Sequence, residues 1–313
     1  MRVLVTGGAG FIGSHLVRAC LAAGEDVRVF DDFSTGKSEN LAEIARDVEV
    51  VEGSIVDAAL LEGAARGCEI VYHQAAIVSV PRSVEDPVGT HAVNATGTLH
   101  ALEAARRAGA RRFVLASSSA VYGDDARLPK REDMSTEPRS PYALQKLTGE
   151  LYCEQYARLF GLEAVALRYF NVFGPRQDPK SMYAGVIPIF VAALRAGARP
   201  RIFGDGLQSR DFVYVSDVVA ANRAAAQAKT RIAGEVINVG RGERTSLLEL
   251  LALVATALGR STPEPIFEPA RPGDVRHSQA DVSRATDLLD FRARMPLDAA
   301  LRETVGWYAG ASS

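Results

Sequence analysis

The sequence is poor in the residue types that build disulfides and metal sites. Its three cysteines, Cys20, Cys68 and Cys153, are scattered over 313 residues, odd in number and without metal-ligand spacing. This usage is typical of a reducing compartment, so we expect a cytoplasmic protein with buried free thiols. The five histidines form no HxH or HxxxH pair. We therefore expect no metal ion.

The sequence also lacks long apolar runs and an excess of charge of one sign. No apolar stretch approaches the roughly 18 residues that a membrane-spanning helix needs, so we expect no membrane contact. The first residues enter a strand-like run at once, and we expect no secretory signal. Lysine and arginine total 36 against 38 aspartates and glutamates, a net charge of −2. This balance argues against a nucleic-acid partner bound through bulk positive charge.

The chain instead alternates short β-branched runs with longer helical stretches. This alternation predicts an α/β protein with a doubly wound parallel sheet, because strand, helix and strand at this spacing form right-handed βαβ units. The predicted strands are 2–6, 27–31, 48–52, 70–73, 112–117 and 164–169, and the predicted helices are 11–23, 58–65, 87–108 and 141–160.

The length and the proline distribution predict two domains. At roughly 150 residues per domain, 313 residues suffice for two. The alternation holds to about residue 172 and then loosens where prolines become frequent. We therefore predict a dinucleotide-binding domain over 1–172 and a substrate-binding domain over 173–313. Segments near 211–240 are predicted to fold back onto the first domain.

A glycine-rich turn follows the first strand and opens the first helix. Gly7 permits the tight turn, Gly10 lets the backbone approach a pyrophosphate, and Gly13 allows close helix–sheet packing. The second strand ends in Asp31, followed by Asp32, where a carboxylate bonds the adenosine ribose. Two carboxylates would repel a 2′-phosphate, so the sequence predicts NAD rather than NADP. The alternative is that both residues only end a strand and begin a turn.

A second group of polar residues indicates acid–base chemistry. Tyr142 and Lys146 lie four residues apart on a predicted helix, which places them on one face. A phenol titrates near pH 10, and we expect the ammonium of Lys146 to lower the pKa of Tyr142 toward a useful range. The fifth strand ends in Ser117, Ser118 and Ser119, one of which would share a proton with Tyr142. The residues alone leave open which serine this is.

With these residues in place, the chain resembles the extended short-chain dehydrogenase/reductases, and among them the nucleotide-sugar 4-epimerases. The resemblance implies a Rossmann sheet with a smaller C-terminal substrate-binding α/β lobe. It also implies NAD as cofactor, a UDP-sugar as substrate, and a homodimer that pairs the helices near 87–108 and 141–160. The motifs that carry it are TGGAGFIGS at 6–14, DDFSTG at 31–36, HQAA at 73–76, SSSAVYG at 117–123, SPYALQK at 140–146, RYFNVFGPRQDP at 168–179, RDFVYVSDV at 210–218 and RPGDVRHSQAD at 271–281.

The resemblance implies a role for each matching position. The family's catalytic Ser or Thr lies four residues before the YG tyrosine, which selects Ser118; Tyr142 is then the base and Lys146 the anchor of the nicotinamide ribose. The implied cofactor-binding residues are Gly7, Gly10, Phe11, Ile12, Gly13, Asp31, Asp32, Phe33, Ser34, Thr35, Gly36, Ser54, Ile55, Gln74, Ala75, Ala76, Val78, Asn94, Ser117, Tyr142, Lys146 and Tyr169. The implied substrate-binding residues are Ser79, Val80, Ser118, Ser119, Ala120, Asn171, Gly185, Val186, Phe203, Arg210, Arg271, Asp274 and Ser278.

The resemblance further implies the reaction and its substrate. A reversible oxidation at the sugar C4 gives a 4-keto sugar, and hydride return to its other face inverts C4. Arg210 and Arg271 suit the diphosphate, and Asp274 suits ribose hydroxyls. Ser278 stands where epimerases restricted to UDP-glucose and UDP-galactose carry a bulky tyrosine, so a 2-acetamido group has room. We therefore predict epimerisation of UDP-N-acetylglucosamine and UDP-N-acetylgalactosamine, with some activity on the non-acetylated pair.

The sequence departs from the family pattern at three positions. Ser54 replaces an aspartate that faces adenine, and Val78 replaces a lysine that some epimerases have near the cofactor phosphates; both changes would loosen NAD. Ala120 replaces the carboxylate of related dehydratases and decarboxylases, which argues against those reactions. A UDP-glucuronate 4-epimerase needs no such acid, and Arg82 and Arg176 would suit its carboxylate. A non-catalytic NAD-binding sensor is the other alternative, although it has no need of a catalytic set.

Overall fold

The structure of this protein is a computed structural model that describes residues 1–178, 185–270 and 275–310. Its strands are β1 (Arg2–Thr6), β2 (Asp26–Asp31), β3 (Val48–Glu52), β4 (Ile70–His73), β5 (Arg112–Ser118), β6 (Glu163–Tyr169), β7 (Asn171–Phe173), β8 (Arg201–Phe203), β9 (Ser209–Arg210), β10 (Phe212–Tyr214), β11 (Glu235–Val239), β12 (Thr245–Ser246) and β13 (Ile266–Glu268). Its helices are α1 (Phe11–Ala22), α2 (Ala58–Ala65), α3 (Val80–Glu85), α4 (Pro87–His91), α5 (Gly97–Arg107), α6 (Pro141–Phe160), α7 (Val186–Arg195), α8 (Val215–Gln227), α9 (Leu247–Ala257), α10 (Ser283–Leu289) and α11 (Leu297–Gly310).

The centre of the molecule is a seven-stranded parallel sheet in the order β3-β2-β1-β4-β5-β6-β11. Most of its strands are buried on both faces, which explains their continuous apolar sequence. One face packs on α1 and α8 through residues such as Leu16 and Val218. The other packs on α2 and α5 through Leu61 and Leu102. The predicted doubly wound α/β sheet is confirmed.

A smaller α/β lobe follows the main sheet. Short strand pairs, β7 with β10, β8 with β13 and β9 with β12, lie beside α7, α9 and α11. Phe190, Leu250 and Leu301 form the centre of its apolar core. Strand β11 comes from late in the chain and pairs with β6 in the main sheet. The division at residue 172 remains a prediction.

The predicted helix over 87–108 is divided in the structure. Helix α4 and helix α5 are separated by a π-helical turn, Ala92–Thr96. Within it, the Asn94 amide donates to the Ile77 carbonyl at 3.1 Å and to Gln145 Oε1 at 2.9 Å. These long-range bonds draw the turn toward α6, and turns of this kind are frequent beside functional sites. Helix α3 was not predicted; the Ser79 hydroxyl caps it by accepting from the Arg82 N–H at 3.1 Å.

Three features bear on the protein's surroundings. Cys20, Cys68 and Cys153 are buried free thiols. Across the described residues, none of the helices combines the length and apolar character needed to cross a membrane. The same residues contain no group of three or more His, Cys, Asp and Glu side chains arranged to hold a metal ion.

Candidate active site

The glycine-rich turn between β1 and α1 has no room for side chains at two positions. Gly7 has a φ of +68°, and a Cβ there would lie 2.6 Å from the Ala75 nitrogen. A Cβ on Gly13 would lie 2.0 Å from the Gly7 carbonyl oxygen. In the part of the chain that the structure describes, no side chain caps the start of α1 at Gly10. The first-turn N–H groups of this helix are therefore available to a phosphate, as NAD requires.

Asp31 at the end of β2 holds this turn in place. Its carboxylate accepts hydrogen bonds from the Ala9 and Phe33 N–H groups, both at 2.9 Å. Burial raises the pKa of Asp31. The neighbouring Asp32 accepts from the N–H and hydroxyl of Ser34, at 2.9 and 2.6 Å. The hydrogen bonds of both carboxylates stabilise the turn after β2, as the alternative interpretation expects. Both carboxylates also line the cleft beside the glycine-rich turn.

Helix α6 carries the predicted base and begins where the sequence indicates. The Ser140 hydroxyl accepts from the Ala143 N–H at 3.2 Å, with a proline at the first helical position. Lys146 Nζ donates to the Ala116 carbonyl oxygen at 2.8 Å. The Ser118 hydroxyl lies near enough to the phenol of Tyr142 to favour its ionised form. The structure thus brings the three predicted catalytic residues together at the carboxyl edge of the sheet.

The electrostatics of this group differ from the expectation for Tyr142. Burial raises the pKa of Tyr142 to about 12, and the nearby Ser118 hydroxyl only partly opposes this rise. Burial also lowers the pKa of Lys146 to about 8. The ammonium lies 6.0 Å from the centre of the Tyr142 ring and donates to a backbone carbonyl instead. In the protein alone, desolvation therefore outweighs the stabilisation of the phenolate by Lys146.

These residues line one cleft of about 520 Å³. The predicted catalytic residues Ser118, Tyr142 and Lys146 all lie in its wall. The other predicted cofactor-binding residues in the wall are Gly7, Gly10, Phe11, Ile12, Gly13, Asp31, Asp32, Ser34, Thr35, Gly36, Ile55, Gln74, Ala75, Ala76, Val78, Ser117 and Tyr169. The glycine-rich turn, the two carboxylates after β2 and the polar group of Ser118, Tyr142 and Lys146 together suit a dinucleotide such as NAD.

Three predicted cofactor-binding residues do not line this cleft. Phe33 adopts a left-handed φ of +55° in the turn after β2. The Ser54 hydroxyl accepts from the Val56 N–H at 3.4 Å. Asn94 is buried, and its amide is bonded to the Ile77 backbone and to Gln145. Contact of these residues with the cofactor remains a prediction.

The predicted substrate-binding residues fall into groups. Asn171 and Gly185 line the cleft. Ser79 and Val80 begin α3, Ser119 and Ala120 form a 3₁₀ turn after β5, and Val186 begins α7. Phe203, Arg210 and Ser278 belong to the smaller lobe, where the Ser278 N–H donates to the Ser209 carbonyl at 3.0 Å. Arg271 and Asp274 lie outside the described residues.

Several residues of the cleft wall were missed by the sequence analysis. Lys37 forms an ion pair with Asp178 at 3.0 Å, which joins the loop after β2 to the loop after β7. The Asn40 amide donates to the Ala9 carbonyl at 2.8 Å. Arg176, which the sequence analysis named only for the carboxylate of UDP-glucuronate, also lines the cleft. It has a φ of +66°, and its buried Nε has no hydrogen-bond partner among the described residues. Lys37 directly follows the DDFSTG motif, and this position next to a cofactor-binding motif could have indicated that it lines the cleft.

Comparison with known proteins agrees with this geometry. Residues 3–240 match the NAD dependent epimerase/dehydratase family. A UDP-glucose 4-epimerase of Mycolicibacterium smegmatis is 44% identical over 317 residues, with 100% of each chain covered. The solved structure of a UDP-N-acetylglucosamine 4-epimerase from Methanobrevibacter ruminantium M1 has a TM-score of 0.94 and 39% identity, covering 99% of this chain and 98% of the other.

A third comparison concerns the cofactor. The UDP-glucuronic acid 4-epimerase of Bacillus cereus, solved in complex with UDP-glucuronic acid and NAD, has a TM-score of 0.89 and 33% identity, covering 99% of this chain and 100% of the other. The predicted cofactor NAD, the isomerase class and the family resemblance are confirmed. The chain belongs to the NAD dependent epimerase/dehydratase family.

Proposed function

We propose that this protein is a 4-epimerase that interconverts UDP-N-acetylglucosamine and UDP-N-acetylgalactosamine and also accepts the UDP-glucose and UDP-galactose pair. The convergence of Ser118, Tyr142 and Lys146 in the wall of the dinucleotide cleft carries the proposal. A protein that only binds NAD has no use for a buried tyrosine with a serine hydroxyl near it and a buried lysine on the same helix face.

The chain's own residues supply binding and proton transfer. The glycine-rich turn would hold the pyrophosphate of NAD, Asp31 and Asp32 its adenosine ribose, and Lys146 its nicotinamide ribose. NAD, when bound, supplies a hydride acceptor and the positive charge that offsets the high pKa of the tyrosine. Tyr142 takes the proton of the sugar 4-hydroxyl as C4 loses hydride, and Ser118 hydrogen bonds the same oxygen. The 4-keto sugar then turns over within the site. Return of hydride to its other face, and of the proton from Tyr142 to its oxygen, inverts C4.

The choice of sugar rests on Ser278. This serine is half-buried, and its backbone N–H is bonded to the Ser209 carbonyl, so its position is fixed by the backbone. Ser278 does not line the cleft described above, and its placement beside the sugar follows from the family resemblance. At that position a serine side chain occupies far less space than a tyrosine and would leave room for an acetamido group. The likeness to the UDP-N-acetylglucosamine 4-epimerase supports this substrate, and the UDP-glucose 4-epimerase relative supports the non-acetylated pair.

UDP-glucuronate is the second candidate substrate. Arg176 lines the cleft with a buried Nε that no described residue bonds, and a guanidinium in this state suits a carboxylate. Arg82 is exposed on α3 and does not line the cleft, which weakens the pair of arginines as a carboxylate site. The acetamido sugar remains the favoured substrate.

A chromatographic assay separates these candidates. Purified protein without added cofactor is offered UDP-N-acetylglucosamine, UDP-glucose and UDP-glucuronate in separate reactions. The proposal expects inversion of the first two sugars, with retained NAD. Inversion of UDP-glucuronate alone would overturn the interpretation of Ser278 but leave the 4-epimerase standing. No inversion of any sugar, with NAD added, would favour a non-catalytic sensor.

We also propose that two copies of the chain associate through α6 and the neighbouring helices. This surface carries exposed apolar side chains, among them Val88 on α4 and Leu144, Leu151 and Leu159 on α6, with fractional exposures of 79, 55, 53 and 63%. Leu144 and Leu151 lie seven residues apart and therefore on one face of the helix. A second copy presents the same stripe, so pairing about a twofold axis would cover both.

Light scattering on the purified protein tests this association. The wild type is expected to have the mass of a dimer, and Leu151→Glu the mass of a monomer, because a charge would be buried in the interface. Phe267→Glu is the matched control, since Phe267 is equally exposed but lies on β13 in the smaller lobe. A monomeric wild type would overturn the proposal.

A further inference from the structure

Glu150 lies one helical turn beyond Lys146 on α6, and the mechanism above gives it no role. Glu150 is only 3% exposed, and Arg168 on β6 is equally buried. Arg168 donates to both carboxylate oxygens, from Nε at 2.9 Å and from Nη2 at 2.7 Å. The Ser117 hydroxyl donates to the same carboxylate. A buried carboxylate with three such bonds holds a fixed position.

The position of Glu150 completes a pattern between α6 and β5. Two consecutive residues of β5 hold successive turns of α6, because the Ala116 carbonyl bonds Lys146 and the Ser117 hydroxyl bonds Glu150. The next residue of the strand, Ser118, lies near the phenol of Tyr142. In addition, Arg168 lies directly opposite Ser117 in the parallel pairing of β5 with β6. Glu150 therefore ties α6 to two adjacent strands next to the reacting groups.

The charges around Lys146 make Glu150 more than a packing contact. Glu150 opposes the lowering of the Lys146 pKa by burial, and Arg168 balances the charge of Glu150. From β4, His73 faces this region, where burial keeps it neutral by lowering its pKa to about 3. Among the described residues, Cys153 on α6 also lies near Glu150, and the centre of the Tyr122 ring lies 4.6 Å from the Arg168 guanidinium.

We propose that Glu150 is a positioning residue for the reaction: it fixes the register of α6 against β5 and β6, and it places a negative charge one helical turn from the Lys146 ammonium. The proposal rests on the proposed function, because it concerns the same site. It predicts that the charge of Glu150, and not only its shape, affects the reaction.

The variant Glu150→Gln tests the charge. Glutamine keeps an acceptor for Ser117 and nearly the same volume, but it removes the negative charge that favours the Lys146 ammonium. The Lys146 ammonium is then expected to lose its proton at a lower pH. The alkaline limb of the pH profile of kcat/KM is expected to move to lower pH by about 0.5–1 unit.

A second variant guards against simple misfolding. In Glu150→Gln/Arg168→Met no buried guanidinium is left without its carboxylate, yet Lys146 still lacks the charge of Glu150, so the limb is expected to stay at the lower pH. The matched control is Glu163→Gln, which breaks the 2.6 Å ion pair of Arg112 with Glu163 at the opposite end of the same two strands. This control is expected to leave the pH profile in place.

The pH profiles of these variants distinguish an electrostatic role of Glu150 from a purely structural one. A loss of kcat that is equal at every pH, with the alkaline limb unmoved in Glu150→Gln, would show a purely structural residue and overturn it. Should the wild type invert no UDP-sugar, the proposed function fails independently. The same variants are then compared through the pH dependence of NADH binding, followed by fluorescence. The same shift is expected there, because Lys146 lines the cofactor cleft, and its absence would overturn the role of Glu150.

Discussion

Lys146 donates a hydrogen bond to the backbone carbonyl of Ala116 at 2.8 Å, and both residues are buried. The bond joins the first turns of α6 to the end of β5. A backbone carbonyl cannot change its rotamer, so the ammonium has a fixed position before any ligand arrives. The carboxyl edge of the sheet thus positions the Lys146 charge in advance, and charges fixed in advance are what stabilise a transition state.

Tyr142→Phe is expected to lower turnover of the UDP-sugars by about 10²–10⁴-fold, because the proton of the 4-hydroxyl loses its acceptor. Only the phenol oxygen is removed, so the fold and the NAD content are expected to stay as in the wild type. Turnover is measured by chromatography and NAD by its release from denatured protein. Undiminished turnover in this variant would contradict the assignment of the base.

Gly13→Ala is expected to lower the free energy of unfolding by about 1–3 kcal/mol, since its Cβ would lie 2.0 Å from the Gly7 oxygen. The distorted turn is also expected to lose NAD during purification. Gly63→Ala on α2 is the matched control, because a Cβ there meets open space. It is expected to raise stability by about 0.5–1 kcal/mol. Denaturant unfolding of both variants, with NAD analysis, checks the contrast.

Ser278→Tyr is expected to reduce turnover of UDP-N-acetylglucosamine strongly and to spare UDP-glucose, because the larger ring takes the space of the acetamido group. Ser278→Ala serves as control and is expected to retain both activities. The ratio of kcat/KM for the two sugars is the measurement. An equal fall for both would show that this position does not select the sugar.

The stability of the protein is expected to depend on pH through His73. Burial lowers the pKa of His73 to about 3, whereas the unfolded chain binds the same proton near the ordinary value of about 6.5. As pH falls from 6.5 to 3, this residue alone therefore costs on the order of 1.4 kcal/mol per pH unit. His73→Gln is expected to show a shallower slope than the wild type in acid unfolding, and the exposed His91→Gln the wild-type slope.

Much of this site could be predicted from local sequence. The glycine-rich turn, the carboxylates after β2 and the spacing of Tyr142 and Lys146 are short-range patterns whose physics is local. The ion pair of Lys37 with Asp178 and the bonds of Asn94 that accompany the π-helical turn join residues that the fold brings together. Sequence spacing carries no signal for such pairs. The raised pKa of Tyr142 was missed for a related reason, because burial follows from packing.

Inversion at C4 is expected to proceed by loss and return of the same hydride within one closed site. The most direct measurement uses UDP-N-acetylglucosamine carrying deuterium at C4, incubated with purified protein and no added NAD. The UDP-N-acetylgalactosamine product is expected to retain the deuterium at C4, as mass spectrometry and NMR would show. Replacement of that deuterium by solvent hydrogen during inversion would contradict it.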